Sequence, residues 1–179
     1  MASAVSSLFL VFFGSLLFSF VVLTEQSSIR QNVPLQSFHD CVYTVYTKTG
    51  IKFGGGTDSN ISLVLYDAHG DNFVIPNLVK WGGIMGPKHD YFERGNLDVF
   101  NNLGGCLKGP VCKMKLTSDG TGSGSDWYVN YVQVTATGPH IPCAQKLFTI
   151  GRWLALDEYP NTLTVTKDLC SNVTSLASM

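Results

Sequence analysis

Residues 41–67 read CVYTVYTKTGIKFGGGTDSNISLVLYD, which is two apolar runs on either side of a glycine-rich turn. The first run is rich in β-branched and aromatic residues. The second run alternates, with Ile61, Leu63 and Leu65 at every other position. A period of two places alternate side chains on one face of a strand. Because the glycines from Gly54 to Gly56 favour a turn, the stretch predicts two β-strands.

The rest of the chain repeats this pattern of short strands. Apolar runs follow one another about ten residues apart, with turn-forming residues between them, a spacing typical of sandwiches and barrels. Only residues 152–158 have a sequence that favours a helical turn. We therefore predict an all-β fold, an antiparallel β-sandwich of about eight strands in two four-stranded sheets. The predicted strands cover residues 41–48, 61–67, 72–75, 96–100, 111–116, 126–137, 147–150 and 163–167.

Composition limits the class of protein. The chain has 179 residues, of which 45% are apolar and 14% charged, with 12 basic and 13 acidic residues. A formal net charge of −1 argues against a nucleic-acid-binding protein. The 18 glycines and 7 prolines argue against a helical bundle. We expect one monomeric domain over residues 41–168, followed by a polar tail at 169–179.

The first 24 residues have the composition of a signal peptide. Residues 8–23 carry no charge, and the polar segment 25–40 follows them. The alternative is a membrane anchor, but this run would extend only about 24 Å as a helix, short of the ~30 Å hydrocarbon core. A signal peptide predicts the secretory pathway, either the endoplasmic reticulum lumen or the extracellular space (the apoplast). The sequons at Asn60 and Asn172 are then candidate glycosylation sites.

Cysteine usage agrees with that compartment. Five cysteines follow the leader, and no two of them have the C-x-x-C spacing of zinc or thioredoxin-like sites. In the secretory pathway we expect two disulfides and one unpaired thiol.

The sequence contains none of the common motifs of small secreted enzymes. There is no G-x-S-x-G elbow, no H-E-x-x-H helix and no phosphate-binding Gly-Lys-Ser/Thr loop. The four histidines lie in polar, turn-like segments, so we expect exposed loop residues and no catalytic group: His39, His69, His89 and His140. A small secreted hydrolase with a site assembled from loops is the alternative.

Three segments together resemble a known family. They are residues 41–67, residues 92–100 (FERGNLDVF) and residues 126–134 (DWYVNYVQV). In this order and spacing they resemble the PLAT domain, the β-sandwich of lipoxygenases, pancreatic-type lipases, bacterial alpha-toxin and polycystins. The segment LVKWGGIMGPKHDYFERGNLDVF at 78–100 resembles the single-domain plant stress-associated PLAT proteins. The resemblance implies a non-catalytic secretory module that binds membrane lipid or a partner protein in abiotic stress.

The resemblance also implies a calcium site. Calcium binds six to eight oxygens from carboxylates and carbonyls. In calcium-binding PLAT domains such ligands come from the loop matching residues 54–58 and from the positions matching three later acidic residues. The implied ligands are Gly55, Thr57, Asp58, Asp90, Glu93 and Asp126. The alternative is that Asp58 and Asp98 fix turns, and that Glu93 pairs with Arg94 or caps a loop.

Lipid contact is implied by the same resemblance. The loop at 49–53 matches the loop that exposes tryptophan to lipid in lipoxygenases, with Phe53 at the aromatic position and Ile51 beside it. The second lipid-facing loop, at 121–125, contains only Gly, Ser and Thr here. Phe53 as a core residue is the alternative.

The tryptophans divide between the core and the surface in this interpretation. We expect Trp127 and Trp153 in the core of the sandwich. Trp81, which precedes a Gly-Gly pair, is the candidate for contact with lipid or a partner. A carbohydrate-binding cell-wall protein is a further alternative, with Trp81 and Tyr91 as a stacking platform.

The disulfide pairing follows from the topology that the family implies. If the first and last strands are neighbours, Cys41 pairs with Cys170. Cys106 then pairs with Cys112 across the Gly-Pro turn, and Cys143 is left unpaired.

Overall fold

The computed structural model describes residues 40–139 and 141–171. The predicted leader, Asn172, His39 and His140 lie outside these residues. Within the part that is described, no helix has the length and apolarity needed to cross a membrane. The elements are β1 (Asp40–Thr49), β2 (Ile61–Tyr66), β3 (Asn72–Ile75), α1 (Leu78–Gly82), β4 (Leu97–Gly105), β5 (Lys113–Ser118), β6 (Trp127–Gly138), β7 (Ile141–Leu154) and β8 (Thr164–Asp168).

The strands form two four-stranded antiparallel sheets, as the sequence predicted. Sheet A has the order β4-β1-β6-β7 and sheet B the order β3-β2-β5-β8. Long alternating strands such as β1 bury every second side chain. The core is therefore filled by the inner faces of both sheets, and Trp127, Phe100 and Phe148 are fully buried within it. Each such side chain contributes about 1.5–3 kcal/mol through its burial.

The only helix among the described residues is not where the sequence predicted it. Arg152 pairs with Val129 in the ladder of β6 and β7, so residues 152–154 continue a strand rather than begin a helical turn. The helix is α1, a single turn that begins where the Asn77 side chain accepts a hydrogen bond from the Lys80 N–H. The prediction was wrong because a turn of five residues leaves almost no periodic signal.

Both predicted disulfide pairings are wrong. β1 lies in sheet A and β8 in sheet B, so Cys41 and Cys170 belong to different sheets. Each disulfide instead joins neighbouring strands of one sheet. Cys41 of β1 binds Cys106 at the end of β4, with a Cα–Cα distance of 4.9 Å. Cys112, before β5, binds Cys170, after β8, with a Cα–Cα distance of 4.7 Å.

The predicted unpaired thiol is confirmed, because Cys143 on β7 is free and exposed.

Four connections come together at one end of the sandwich, which we call the loop end. Because neighbouring strands are antiparallel, β1, β3, β5 and β7 finish where β2, β4, β6 and β8 begin. The loop end therefore comprises residues 50–60, 76–96, 119–126 and 155–163. Both disulfides lie near the opposite end of the sandwich.

Candidate functional site

The loop between β1 and β2 is held in shape by backbone hydrogen bonds to β6. The Gly50 N–H donates to the Tyr128 carbonyl at 2.8 Å, and the Tyr128 N–H donates to the Gly55 carbonyl at 3.0 Å. Between these bonds the chain turns outward, leaving Ile51 82% and Phe53 93% exposed. The alternative of Phe53 as a core residue is therefore wrong.

The neighbouring loop, before β4, is shaped by a buried residue in the left-handed region. Phe92 has φ 63°, a conformation that costs a non-glycine residue about 1–3 kcal/mol. Hydrogen bonds hold it there, since its carbonyl accepts from the Thr49 hydroxyl at 3.1 Å and from the Thr57 N–H at 3.3 Å. The Thr49 hydroxyl oxygen in turn accepts the Trp127 indole N–H at 2.9 Å. The core therefore fixes the position of this loop.

Asp98, on β4, also holds this loop in place. This fully buried carboxylate accepts the Phe92 N–H at 2.8 Å and lies 2.6 Å from His89 Nε2. The His89 side chain is only 22% exposed, so the expectation of an exposed histidine is wrong here, whereas His69 is 62% exposed. The sequence suggested Asp98 only as a residue that fixes a turn. It did not predict its burial or its contact with His89, although a carboxylate among the inward-facing positions of a strand is a recognisable signal.

Three of the predicted calcium ligands come together where the two loops meet. Carboxylate oxygens of Asp58, Asp90 and Glu93 all lie within 4.8 Å of one another. None of the ion pairs among the described residues involves them, so the alternative pairing of Glu93 with Arg94 is not formed. Oxygens on opposite sides of a calcium ion are separated by about 5 Å, twice the bond length. The spacing and the all-oxygen donor set therefore fit calcium.

The other predicted ligands have different neighbours. The Gly55 carbonyl accepts the Tyr128 N–H, and the Thr57 hydroxyl accepts the Ser59 N–H at 3.2 Å. Asp126 is not part of the three-carboxylate group and lies beside Asp157. Burial, followed by the charge of Asp157, raises the pKa of Asp126 above its usual value. Of the four predicted carboxylate ligands, the structure therefore brings three together and separates Asp126 from them. Thr57 lines the same cleft as Asp58 and Asp90.

A cleft of about 270 Å³ runs from the carboxylates to α1. It is lined by polar groups that include Asp90, Lys80 and the amide of Asn60. That amide donates to Asp119 at 2.9 Å. Hydrogen bonds from the Thr121 hydroxyl and N–H lower the pKa of Asp119 to about 2, with Asn60 adding to the effect. Glycosylation of Asn60 stays a prediction.

The aromatic residues suggested as a sugar platform are part of the scaffold. Trp81 is half-buried and packs edge-on against Phe73, with ring centroids 6.1 Å apart. Tyr91 packs on Phe100 at 5.3 Å, and its hydroxyl accepts the Met85 N–H at 3.0 Å. The two rings are therefore not presented together as an exposed stacking surface.

The two tryptophans expected in the core differ. Trp127 is fully buried, as predicted. Trp153 is only partly buried and lies edge-on to Tyr128 at 5.3 Å, so its assignment to the core is wrong.

Comparison with known proteins agrees with this fold. A model of the PLAT/LH2 domain matches residues 43–166. PLAT domain-containing protein 2 of Arabidopsis thaliana is 50% identical over 131 residues, which cover 73% of this chain and 72% of that protein. PLAT domain-containing protein 3 of the same plant is 56% identical over 104 residues, which cover 58% of this chain and 100% of that protein.

Solved structures show the same sandwich within larger proteins. A coral 8R-lipoxygenase, described as activated by calcium via a C2-like domain, matches with a TM-score of 0.51 and 26% identity. The match covers 70% of this chain and 16% of the lipoxygenase chain. A calcium-dependent 11R-lipoxygenase matches with a TM-score of 0.50 and 22% identity, which supports the fold alone.

Proposed function

Since the chain belongs to the PLAT/LH2 domain family, we propose that it is a non-catalytic module whose loop end docks on a membrane lipid surface with the help of calcium. The observation that carries the proposal is the position of Phe53. Its ring is 93% exposed on a hydrogen-bonded loop that also supplies Asp58 to the carboxylate group. A large apolar ring held out in water beside a cation site suits a lipid interface.

Insertion alone gives weak binding. Burying Ile51 and Phe53 in lipid contributes about 1.5–3 kcal/mol each. Calcium held by Asp58, Asp90 and Glu93 would neutralise three carboxylates and offer coordination positions to phosphate oxygens of the headgroups. The three carboxylates repel one another when no cation is bound, so binding of calcium relieves that repulsion.

We further propose that the protein works in the secretory pathway, in the endoplasmic reticulum lumen or outside the cell, during abiotic stress. The two disulfides support an oxidising compartment. The leader-like sequence at 1–24 supports the same route. The role in stress rests on the resemblance of residues 78–100 to the plant stress-associated proteins.

Vesicle co-sedimentation tests lipid docking. We expect the protein to bind vesicles more strongly in calcium than in chelator, and Phe53→Ser to weaken binding at least about tenfold. Val74→Ser is the matched control, because Val74 is 55% exposed on β3, outside the loop end. Equal binding by both variants would reject docking through Phe53. No binding in either condition would reject lipid docking and leave a protein partner for the loop end.

A further inference from the structure

The loop between β7 and β8 exposes two more apolar side chains. Leu156 is 67% and Tyr159 87% exposed. The turn that presents them is closed by a bridge between Ala155 and Thr162. Asn161 completes it, since its side-chain amide donates to the Leu156 carbonyl at 2.8 Å and its N–H to the Glu158 carbonyl at 2.7 Å. The loop therefore holds both side chains out in a hydrogen-bonded conformation.

We propose that this loop is a second lipid-inserting tip, which enters the surface of a zwitterionic bilayer together with the loop of Ile51 and Phe53. The inference rests on the proposed function and extends it to the lipid charge and to a second set of contact residues. The loop at 121–125 contains only Gly, Ser and Thr and so offers no large apolar side chain to lipid. The loop of Leu156 and Tyr159 would provide the second apolar contact in its place.

The strand register places the two tips side by side. At the start of β6, Val129 pairs with Thr49 at the end of β1, and Trp127 pairs with Leu154 at the end of β7. The two loops therefore leave the sheet on either side of the same strand end. Neighbouring strands lie about 4.8 Å apart, so the loops begin roughly 10 Å from each other. Both loops therefore emerge at the same end of sheet A.

The form of the tips favours a bilayer over a folded protein partner. Leu156 and Tyr159 protrude singly, as do Ile51 and Phe53, and a fluid interface accepts such side chains without a complementary pocket. Tyrosine in particular suits the boundary between headgroups and acyl chains, because its ring is apolar and its hydroxyl polar. A preformed loop also loses little conformational freedom on insertion.

The charge of the tip selects the lipid. Asp157 and Glu158 lie between the two apolar residues, and residues 155–163 contain no basic side chain. The loop end as a whole has more acidic side chains (Asp58, Asp90, Glu93, Asp119, Asp126, Asp157, Glu158) than basic ones (Lys52, Lys80, Lys88, Arg94), and its balance stays negative when the two positive charges of a bound calcium ion are added. Repulsion from an anionic surface would oppose insertion, so the tip fits a zwitterionic surface such as phosphatidylcholine.

The test measures binding of the full chain to phosphatidylcholine vesicles, in calcium and in chelator, by co-sedimentation. We expect the double variant Leu156→Ser/Tyr159→Ser to bind at least about tenfold more weakly than wild type, while the control Val74→Ser binds normally. We also expect Asp157→Asn/Glu158→Gln to increase binding to phosphatidylserine vesicles. Thermal melting of each variant checks that it is folded.

The outcomes separate the two proposals. Wild-type protein that binds no vesicle overturns both the proposed function and the second tip. Wild-type protein that binds through Phe53, with the Leu156→Ser/Tyr159→Ser variant binding equally well, overturns the second tip and leaves the function standing. As an independent readout, Tyr159→Trp should show a blue-shifted emission component that brominated lipid quenches. If this variant binds the vesicles but the emission of the added tryptophan does not change, the loop does not insert.

Discussion

At the scale of single residues, the site depends on buried groups that never touch a ligand. Asp98 holds the loop that carries Asp90 and Glu93, through the N–H of Phe92 and the ring of His89. The carbonyl of Phe92 accepts a hydrogen bond from the Thr49 hydroxyl, and the Thr49 oxygen accepts one from the Trp127 indole N–H. Because Phe92 is in a conformation that is unfavourable on its own, these bonds determine whether the two carboxylates reach Asp58.

We expect Asp98→Asn to destabilise the protein. The substitution removes a charged acceptor that bonds the Phe92 N–H and His89, and hydrogen bonds to charged groups contribute about 1.5–3 kcal/mol each. The free energy of unfolding, from urea titration at pH 7, should fall by about 2 kcal/mol. Asp40→Asn, at the start of β1, is the control and should change it little. Equal values for the two variants would show that the Asp98 network does not hold the loop.

At the scale of elements, the sequence predicted strands well where their side chains alternate against one core. β1 and β2 show clean alternation, and both form as predicted. The sequence predicted only residues 147–150 of β7, which spans Ile141–Leu154. β7 lies at the edge of sheet A, and most of its length does not alternate between buried and exposed side chains. Its glycine at 151, with φ 65°, also interrupts the pattern before the strand resumes.

The disulfides could not be derived from the sequence for a related reason. Their pairing depends on which strands lie side by side, and a local pattern carries no information about that order. β4 and β5 follow each other in the chain but lie in different sheets, which separates Cys106 from Cys112. The correct partners are neighbours in space through β1 with β4 and through β5 with β8.

We expect each disulfide to stabilise its sheet by constraining the unfolded chain. The bridges span 65 and 58 residues, and loops of that size correspond to about 4 kcal/mol each in the chain-entropy model. Cys41→Ser/Cys106→Ser should lower the free energy of unfolding by roughly that amount. Cys143→Ser removes a free thiol and should leave it unchanged. Peptide mapping that links Cys41 to Cys170 would contradict the pairing itself.

At the scale of the whole molecule, the two ends of the sandwich carry different features. The disulfides close one end, while the other gathers four loops that carry carboxylates and exposed apolar side chains. The family resemblance supplied the first loop and most of the carboxylates. It supplied neither the tip at Leu156 and Tyr159 nor the separation of Asp126, because both depend on how this chain connects β7 to β8.

The separation of Asp126 from the other carboxylates can be tested by metal binding to the intact protein. A ligand that binds only the folded state stabilises it by about 2.7 kcal/mol at a hundred times its Kd, which raises the melting temperature by several degrees. We therefore expect calcium to raise the melting temperature of wild-type protein relative to chelator. Asp58→Asn should abolish the rise, because it removes one of three carboxylates that meet within 4.8 Å.

Asp126→Asn is the matched control in that experiment, since it removes a carboxylate of the same loop end that lies outside the group. It should keep the full calcium-dependent rise. It should also melt slightly higher than wild type at neutral pH without calcium. Burial and the charge of Asp157 raise the pKa of Asp126, so its ionised form is disfavoured in the folded state and asparagine relieves that cost. A rise lost equally in both variants would show that Asp126 binds the ion together with Asp58, and that the site is larger than three carboxylates.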